Sequence, residues 1–341
     1  MLQYRAPRWL AGHGPVGGNV QTIWPALYSR VHPEHGSLPV HYLRERWTTP
    51  DGDFIDVDFR RANRPGMPVD AQEARRPLLI LFHGLEGSSQ SHYARAFAHW
   101  AHAQGWDYVV PHWRGCSGEL NLAPRTYHSG DHAEADWILG RLAAQHPGPI
   151  VAVGISLGGN VLLRWTQEAG ARAGQVLRAV VAISAPLDLA AAGRALGRGF
   201  NRQVYTRMFL GSMMPKALAK LQQHPGLVDE AALRAARDLY EYDNAFTAPL
   251  HGFRNTEDYW ARCSSKPGLK AMREVPALVL NARNDPFIPA ASLPGRGDVG
   301  PAVTLWQPHE GGHVGFPAGR FPGHVAGLPQ AVGRWLQQHL S

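Results

Sequence analysis

Short apolar runs punctuate the chain at Leu78–Phe82, Tyr108–Pro111, Ile150–Val153, Val180–Ile183, Ala277–Leu280 and Val303–Trp306, and segments of helical length separate most of them. Runs without a polar face read as strands covered on both sides. Their alternation with helices predicts an α/β protein built on a mostly parallel, doubly wound sheet. Upstream the pattern changes. Tyr42–Thr49 and Phe54–Arg61 alternate polar and apolar positions around Pro50-Asp51-Gly52, which predicts an antiparallel hairpin.

One interval breaks this rhythm. Between Asp188 and Ala277 the segments Met208–Gln223, Glu230–Glu241 and Glu257–Cys263 read as helices, with no core strand among them. A connection in a compact α/β unit is far shorter. The expected organisation is therefore a core of residues 1–189 and 271–341, with residues 190–270 inserted as a helical cap. Such a cap would sit over the carboxyl edge of the sheet, where ligands of open α/β folds bind.

A chain of 341 residues with 44% hydrophobic content can build one large core with such an insertion. The net charge is +7, yet only four of the 34 basic residues are lysine, and the arginines are spread along the chain. No basic run is interleaved with aromatics, so nucleic acid is not an expected partner, whereas weak contact with anionic lipid surfaces fits the charge. No stretch reaches the roughly 18 uncharged apolar residues of a membrane span. The first residues lack the apolar core of a signal peptide, and Cys116 and Cys263 form no C-x-x-C pair. These features read as a cytoplasmic protein in a reducing compartment.

The chemistry concentrates at Gly154-Ile155-Ser156-Leu157-Gly158-Gly159-Asn160, between the apolar run Ile150–Val153 and the helix-like Val161–Trp165. This is a G-x-S-x-G pentapeptide in a strand–turn–helix context, which lifts the serine hydroxyl to the tip of a sheet. A serine becomes a nucleophile only with a base to take its proton, a carboxylate to orient that base, and donors for the developing oxyanion. In this context the three follow in the order serine, acid, histidine. Asp285 lies on the loop after Ala277–Leu280, and His313 lies in the glycine-rich loop after Val303–Trp306. Asp188, after Val180–Ile183, is the alternative acid. Asp298 reads as a turn residue, and His309, which lies closer to its strand end, is the alternative base. The N–H of Leu157 is one expected oxyanion donor and that of Leu85, after Leu78–Phe82, is the other.

Other features read as structural. His83 is expected to fix the Leu85 loop, and Cys116 to be a buried thiol. His128, Asp131, His132, Glu134 and Asp136 have metal-like residue types, but acidic groups suit the start of the helix Ala133–Leu142. Gly12-His13-Gly14 and Val16-Gly17-Gly18-Asn19 precede no strand–helix phosphate loop. Neither a metal nor an organic cofactor is expected.

The chain resembles the α/β-hydrolase superfamily, and within it the YheT-like branch. The marks are Gln21-Thr22-Ile23-Trp24-Pro25, His83-Gly84-Leu85-Glu86-Gly87-Ser88, Arg114-Gly115-Cys116-Ser117-Gly118, the Ser156 elbow and Gly311-Gly312-His313-Val314-Gly315-Phe316. The resemblance implies an α/β-hydrolase fold and a serine esterase acting on small acyl esters of short to medium chain length, with Ser156, Asp285 and His313 as its triad. Phe209, Met213 and Met214 in the cap offer flexible and aromatic surface for the acyl chain. Two further readings use the same scaffold: acyl transfer to an alcohol, and a non-catalytic ligand-binding protein. The latter would be marked by a missing triad member, and none is missing.

Overall fold

In a computed structural model, which describes residues 3–10, 14–32, 40–62 and 75–340, the apolar runs form one eight-stranded sheet. Its strands are β1 (Leu43–Thr48), β2 (Phe54–Arg60), β3 (Leu78–Phe82), β4 (Asp107–Pro111), β5 (Ile150–Ile155), β6 (Ala179–Ile183), β7 (Ala277–Leu280) and β8 (Val303–Trp306). They lie in the order β1-β2-β4-β3-β5-β6-β7-β8. β1 and β2 form the expected hairpin, β2 runs antiparallel to β4, and the pairings from β4 through β8 are parallel. The hairpin closes where Gly52 takes a φ of 77° and its N–H donates to the Thr49 carbonyl.

Strict alternation along the central strands sends side chains into two cores. Leu78, Ile80, Phe82, Ala152 and Val180 pack with Ile138 and Leu139 of helix α3 (His132–Gln145) and Leu162 of helix α4 (Leu157–Ala169). Leu79, Leu81, Val151, Val153 and Val181 pack on the other side with Phe97 of helix α2 (His92–Ala103) and Val332 and Leu336 of the C-terminal helix Gly327–Gln337. Both faces are covered, which is why these strands carry no polar stripe.

The interval between β6 and β7 is helical throughout its regular elements. Its main pieces are Leu189–Leu196, Arg207–Gln223, Glu230–Ala235, Leu239–Tyr242 and Thr256–Cys263. The single helix predicted over Glu230–Glu241 is instead two. Ala236 is extended, and Asp238 restarts the chain by accepting the Glu241 N–H on its side chain. This layer has its own apolar cluster, in which Ala217, Leu221, Leu233 and Phe246 meet.

The helix Gly14–Leu27, here α1, was not predicted. Three glycines in its first five residues and Pro25 near its end give it poor intrinsic propensity, so tertiary contacts must hold it. Gly18 shows how. A Cβ there would lie 1.9 Å from the Asn284 carbonyl oxygen, so only glycine lets α1 press this closely on the loop after β7. Gly12 and His13 lie outside the described residues.

Candidate active site

β5 runs straight into Ser156, whose backbone turns at φ 51° and ψ −118°, a conformation rare for a residue with a Cβ. A Cβ on Gly154 would lie 2.4 Å from the Gly158 carbonyl oxygen, and one on Gly158 would lie 2.4 Å from that of Phe82. Both positions of the pentapeptide therefore require glycine for lack of space. The result is a serine held rigidly at the carboxyl edge, at the N-terminus of α4.

Asp285 and His313 converge on it. His313 Nε2 lies 3.0 Å from Ser156 Oγ, and His313 Nδ1 lies 2.9 Å from Asp285 Oδ2. Asp285 is buried, and its other oxygen accepts the Phe287 N–H at 2.8 Å. That fixes the carboxylate against the imidazole, so that Nδ1 carries the proton and Nε2 faces the serine. The Phe287 ring stacks on the imidazole with centroids 4.1 Å apart. The rivals lie elsewhere: Asp188 caps the helix Leu189–Leu196 through the Ala191 N–H, Asp298 closes its own turn on the Gly295 N–H, and His309 is exposed.

The loop after β3 packs against the serine, with a Cβ on Gly84 only 3.2 Å from that of Ser156. Its amides are largely committed. Gly84 N–H donates to Tyr93 Oη, Glu86 N–H to Tyr127 Oη, and Gly87 N–H to the Gly84 carbonyl. The N–H groups of Leu85 and Leu157 have no protein acceptor among the described residues, and both residues border the cavity beside Ser156. The arrangement therefore presents two available donors next to the hydroxyl. His83 is fully buried, with Nδ1–H donating to the Gly84 carbonyl and Nε2 accepting from Trp113 N–H; burial lowers its pKa to about 3, so it holds the loop as a neutral ring.

The cavity over Ser156 and His313 is walled mainly by apolar side chains, among them Leu120, Leu196, Phe209, Met213, Phe246 and Ile288. Of the cap residues named from the sequence, Phe209 and Met213 border it. Met214 does not border it, and like Met213 it packs against the helical layer's own cluster with Leu221 and Phe246. Polar groups are few. Lys216 Nζ meets Glu86 Oε2 at 2.7 Å across the cavity wall, and burial raises the Asp243 carboxyl to about 6.

The carboxylates among the metal-like residues are held in ion pairs. Arg114 binds Glu134 at 2.6 Å and both Asp51 and Asp53 at 2.8 Å, while Asp131 pairs with Arg125 rather than capping α3. Asp136 accepts from Trp165 Nε1 and pairs with Arg172. Burial drives the Cys116 thiol up to about 12, which leaves it protonated and a poor nucleophile.

Sequence reasoning missed the supports from α1. Gln21 Oε1 accepts from the Gly311 N–H at 2.8 Å and from Asn284 Nδ2 at 2.9 Å. Thr22 Oγ1 accepts the His313 N–H at 2.8 Å. These two residues tie the acid loop to the histidine loop; the Gln21-Thr22 motif was visible, but no predicted element placed it beside them.

Residues 77–319 match the family defined by the alpha/beta hydrolase fold. The chain belongs to the alpha/beta hydrolase family. It is 35% identical over 325 residues to YheT of Escherichia coli (strain K12), covering 94% of this chain and 91% of YheT, which places it in the YheT-like branch. Phospholipase ABHD3 of Mus musculus is 29% identical over 340 residues, with 97% and 81% covered. Two solved esterases share the fold: Pf2001 of Pyrococcus furiosus (TM-score 0.53, 15% identity, 88% and 93% covered) and Est1E of Butyrivibrio proteoclasticus (0.54, 14%, 88% and 99%). The hydrolase is a carboxylic-ester hydrolase. Among its described residues no helix is long and apolar enough to cross a membrane.

Proposed function

We propose that this hydrolase cleaves small carboxylic esters of short to medium acyl length through an acyl-enzyme on Ser156. The observation that carries the reading is the unbroken Ser156–His313–Asp285 relay, with contacts of 3.0 and 2.9 Å, opening into an apolar cavity. Ser156 Oγ attacks the ester carbonyl while His313 Nε2 takes its proton, and Asp285 stabilises the resulting imidazolium. The Leu85 and Leu157 N–H groups hold the oxyanion of the tetrahedral intermediate. As that intermediate collapses, His313 passes the proton to the departing alcohol. Water then enters, loses a proton to His313 and attacks the acyl carbon, which releases the acid and returns the proton to Ser156. Residues 190–270 serve as the cap that supplies Phe209 and Met213 to the acyl site. Two free cysteines suit a cytoplasmic enzyme.

A fluorophosphonate probe should label the wild type and not Ser156→Ala, whose ester hydrolysis should fall roughly 10³-fold or more. With a panel of graded acyl esters, each buried methylene is worth up to about 0.8 kcal/mol, or roughly fourfold in kcat/KM, until the cavity is full. Labelling at another residue would overturn the nucleophile, and a profile flat from acetyl to decanoyl would overturn the acyl assignment.

A further inference from the structure

Helix α1 is inverted relative to an ordinary surface helix. It buries Gln21 and Thr22 against the catalytic loops and turns Val16 (73% exposed) and Leu27 (66%) outward. The apolar surface does not stop there. Val20 and Ile23 of α1 and Tyr28 just beyond it share one shallow groove with Phe200, and Trp24 packs on both Tyr28 (4.8 Å) and Phe321 (5.6 Å). Phe200 and Phe321 are themselves 52% and 69% exposed. Contiguous exposed apolar surface of this kind marks an interaction site, and its mix of aromatic and aliphatic side chains suits a membrane interface.

The charge pattern says which surface. The face draws on α1, on Phe200 of the helical layer and on the loop at Phe321. Arg8 adjoins Trp9, Arg198 and Arg202 bracket Phe200, and Arg320 precedes Phe321; none has an ion-pair partner among the described residues. On the hairpin at the opposite end of the sheet order, Arg44 and Arg46 are instead paired with Asp58 and Asp56. An apolar centre flanked by unpaired arginine complements an anionic bilayer.

The face also adjoins the catalytic site. Phe200 contacts Tyr205 (6.0 Å), Tyr205 contacts Phe287 (4.5 Å), and Phe287 stacks on His313. Tyr205 Oη donates to Asn19 Oδ1 at 2.8 Å, which fastens the helical layer to α1. We propose that this face docks the hydrolase on the surface of a membrane rich in anionic phospholipid, with α1 and the segment around Phe200 seated in the headgroup layer. The proposal does not depend on which ester is cleaved.

The test is co-sedimentation of the Ser156→Ala protein with vesicles of phosphatidylcholine alone or mixed with phosphatidylglycerol, with the active protein assayed in parallel on a water-soluble acetyl ester. Binding should require phosphatidylglycerol and weaken with added salt. Leu27→Glu/Phe321→Glu should lose at least about tenfold in vesicle partition, and Arg198→Gln roughly fivefold. Hydrolysis of the soluble ester should stay unchanged in both, which also reports that they fold. Equal binding to neutral vesicles, no binding, or wild-type binding by the double variant would overturn the proposal. So would a dimer in vesicle-free solution that the double variant dissolves, since the face would then belong to a second copy of the chain.

Discussion

Gln21→Ala should cost turnover rather than substrate affinity. The Gln21 side chain is fully buried, and its amide oxygen accepts two hydrogen bonds, one from Gly311 N–H and one from Asn284 Nδ2. Truncation leaves the buried Gly311 N–H and the half-buried Asn284 amide without that acceptor, at up to about 1–3 kcal/mol each. A loss of up to about 2–6 kcal/mol is large against a domain stability of about 5–15 kcal/mol, so the variant should fold and melt earlier. Its effect on chemistry follows from position. Gly311 lies two residues before His313, and Asn284, next to Asp285, accepts the Gly312 N–H at 3.0 Å. Both loops lose their shared brace. A drift of about 1 Å would take the 3.0 Å Nε2–Oγ contact beyond hydrogen-bond reach, and displacement on that scale costs on the order of 10²-fold in rate. Gln21 does not border the cavity, so KM should stay within about twofold. Steady-state kinetics on a soluble ester, at a temperature where circular dichroism shows the variant folded, separates the two parameters. A kcat within about threefold of wild type, or a loss carried by KM alone, would refute the bracing argument.

Asp285→Asn should lower kcat by up to about 10⁴ by favouring the wrong imidazole tautomer, whereas Asp188→Asn, which touches only a helix cap, should leave kcat near wild type; the reverse pattern would move the acid to the loop after β6. Arg114→Met strips Asp53 and Glu134 of a buried cation, so chemical denaturation should report a loss of about 3–5 kcal/mol, and a loss below about 1 kcal/mol would refute the network's role. Burial lowers His83 and His251 to about 3 and His92 to about 4, so between pH 6.5 and those values the unfolded chain binds protons that the native state refuses. Stability should therefore be full above pH 6.5 and fall as pH drops below it, by up to about 1.4 kcal/mol per pH unit for each histidine. A melting temperature that holds steady or rises from pH 6.5 to pH 5 would contradict that sign.

The sequence by itself determined whatever depends on local pattern. Apolar runs of four to six residues set the parallel strands, because a strand covered on both faces has no polar stripe to lose. The elbow was legible because its strained serine and crowded neighbours demand glycine at fixed spacing, and the loops carrying Asp285 and His313 could be placed because they follow recognisable strands. Only the tertiary structure decided what depends on close approach between distant segments. α1 is too rich in glycine to announce itself, since those residues were selected by contact with the loop at Asn284 rather than by helix propensity. The bracing by Gln21 and Thr22 spans about 290 residues of sequence. Nothing local in either segment encodes such a contact, which exists only once the sheet has brought both ends of the chain to the same edge. Met214 fell outside the cavity for a related reason: the rotation of its helix about its own axis is fixed by what the whole layer packs against, not by the apolar character of one position.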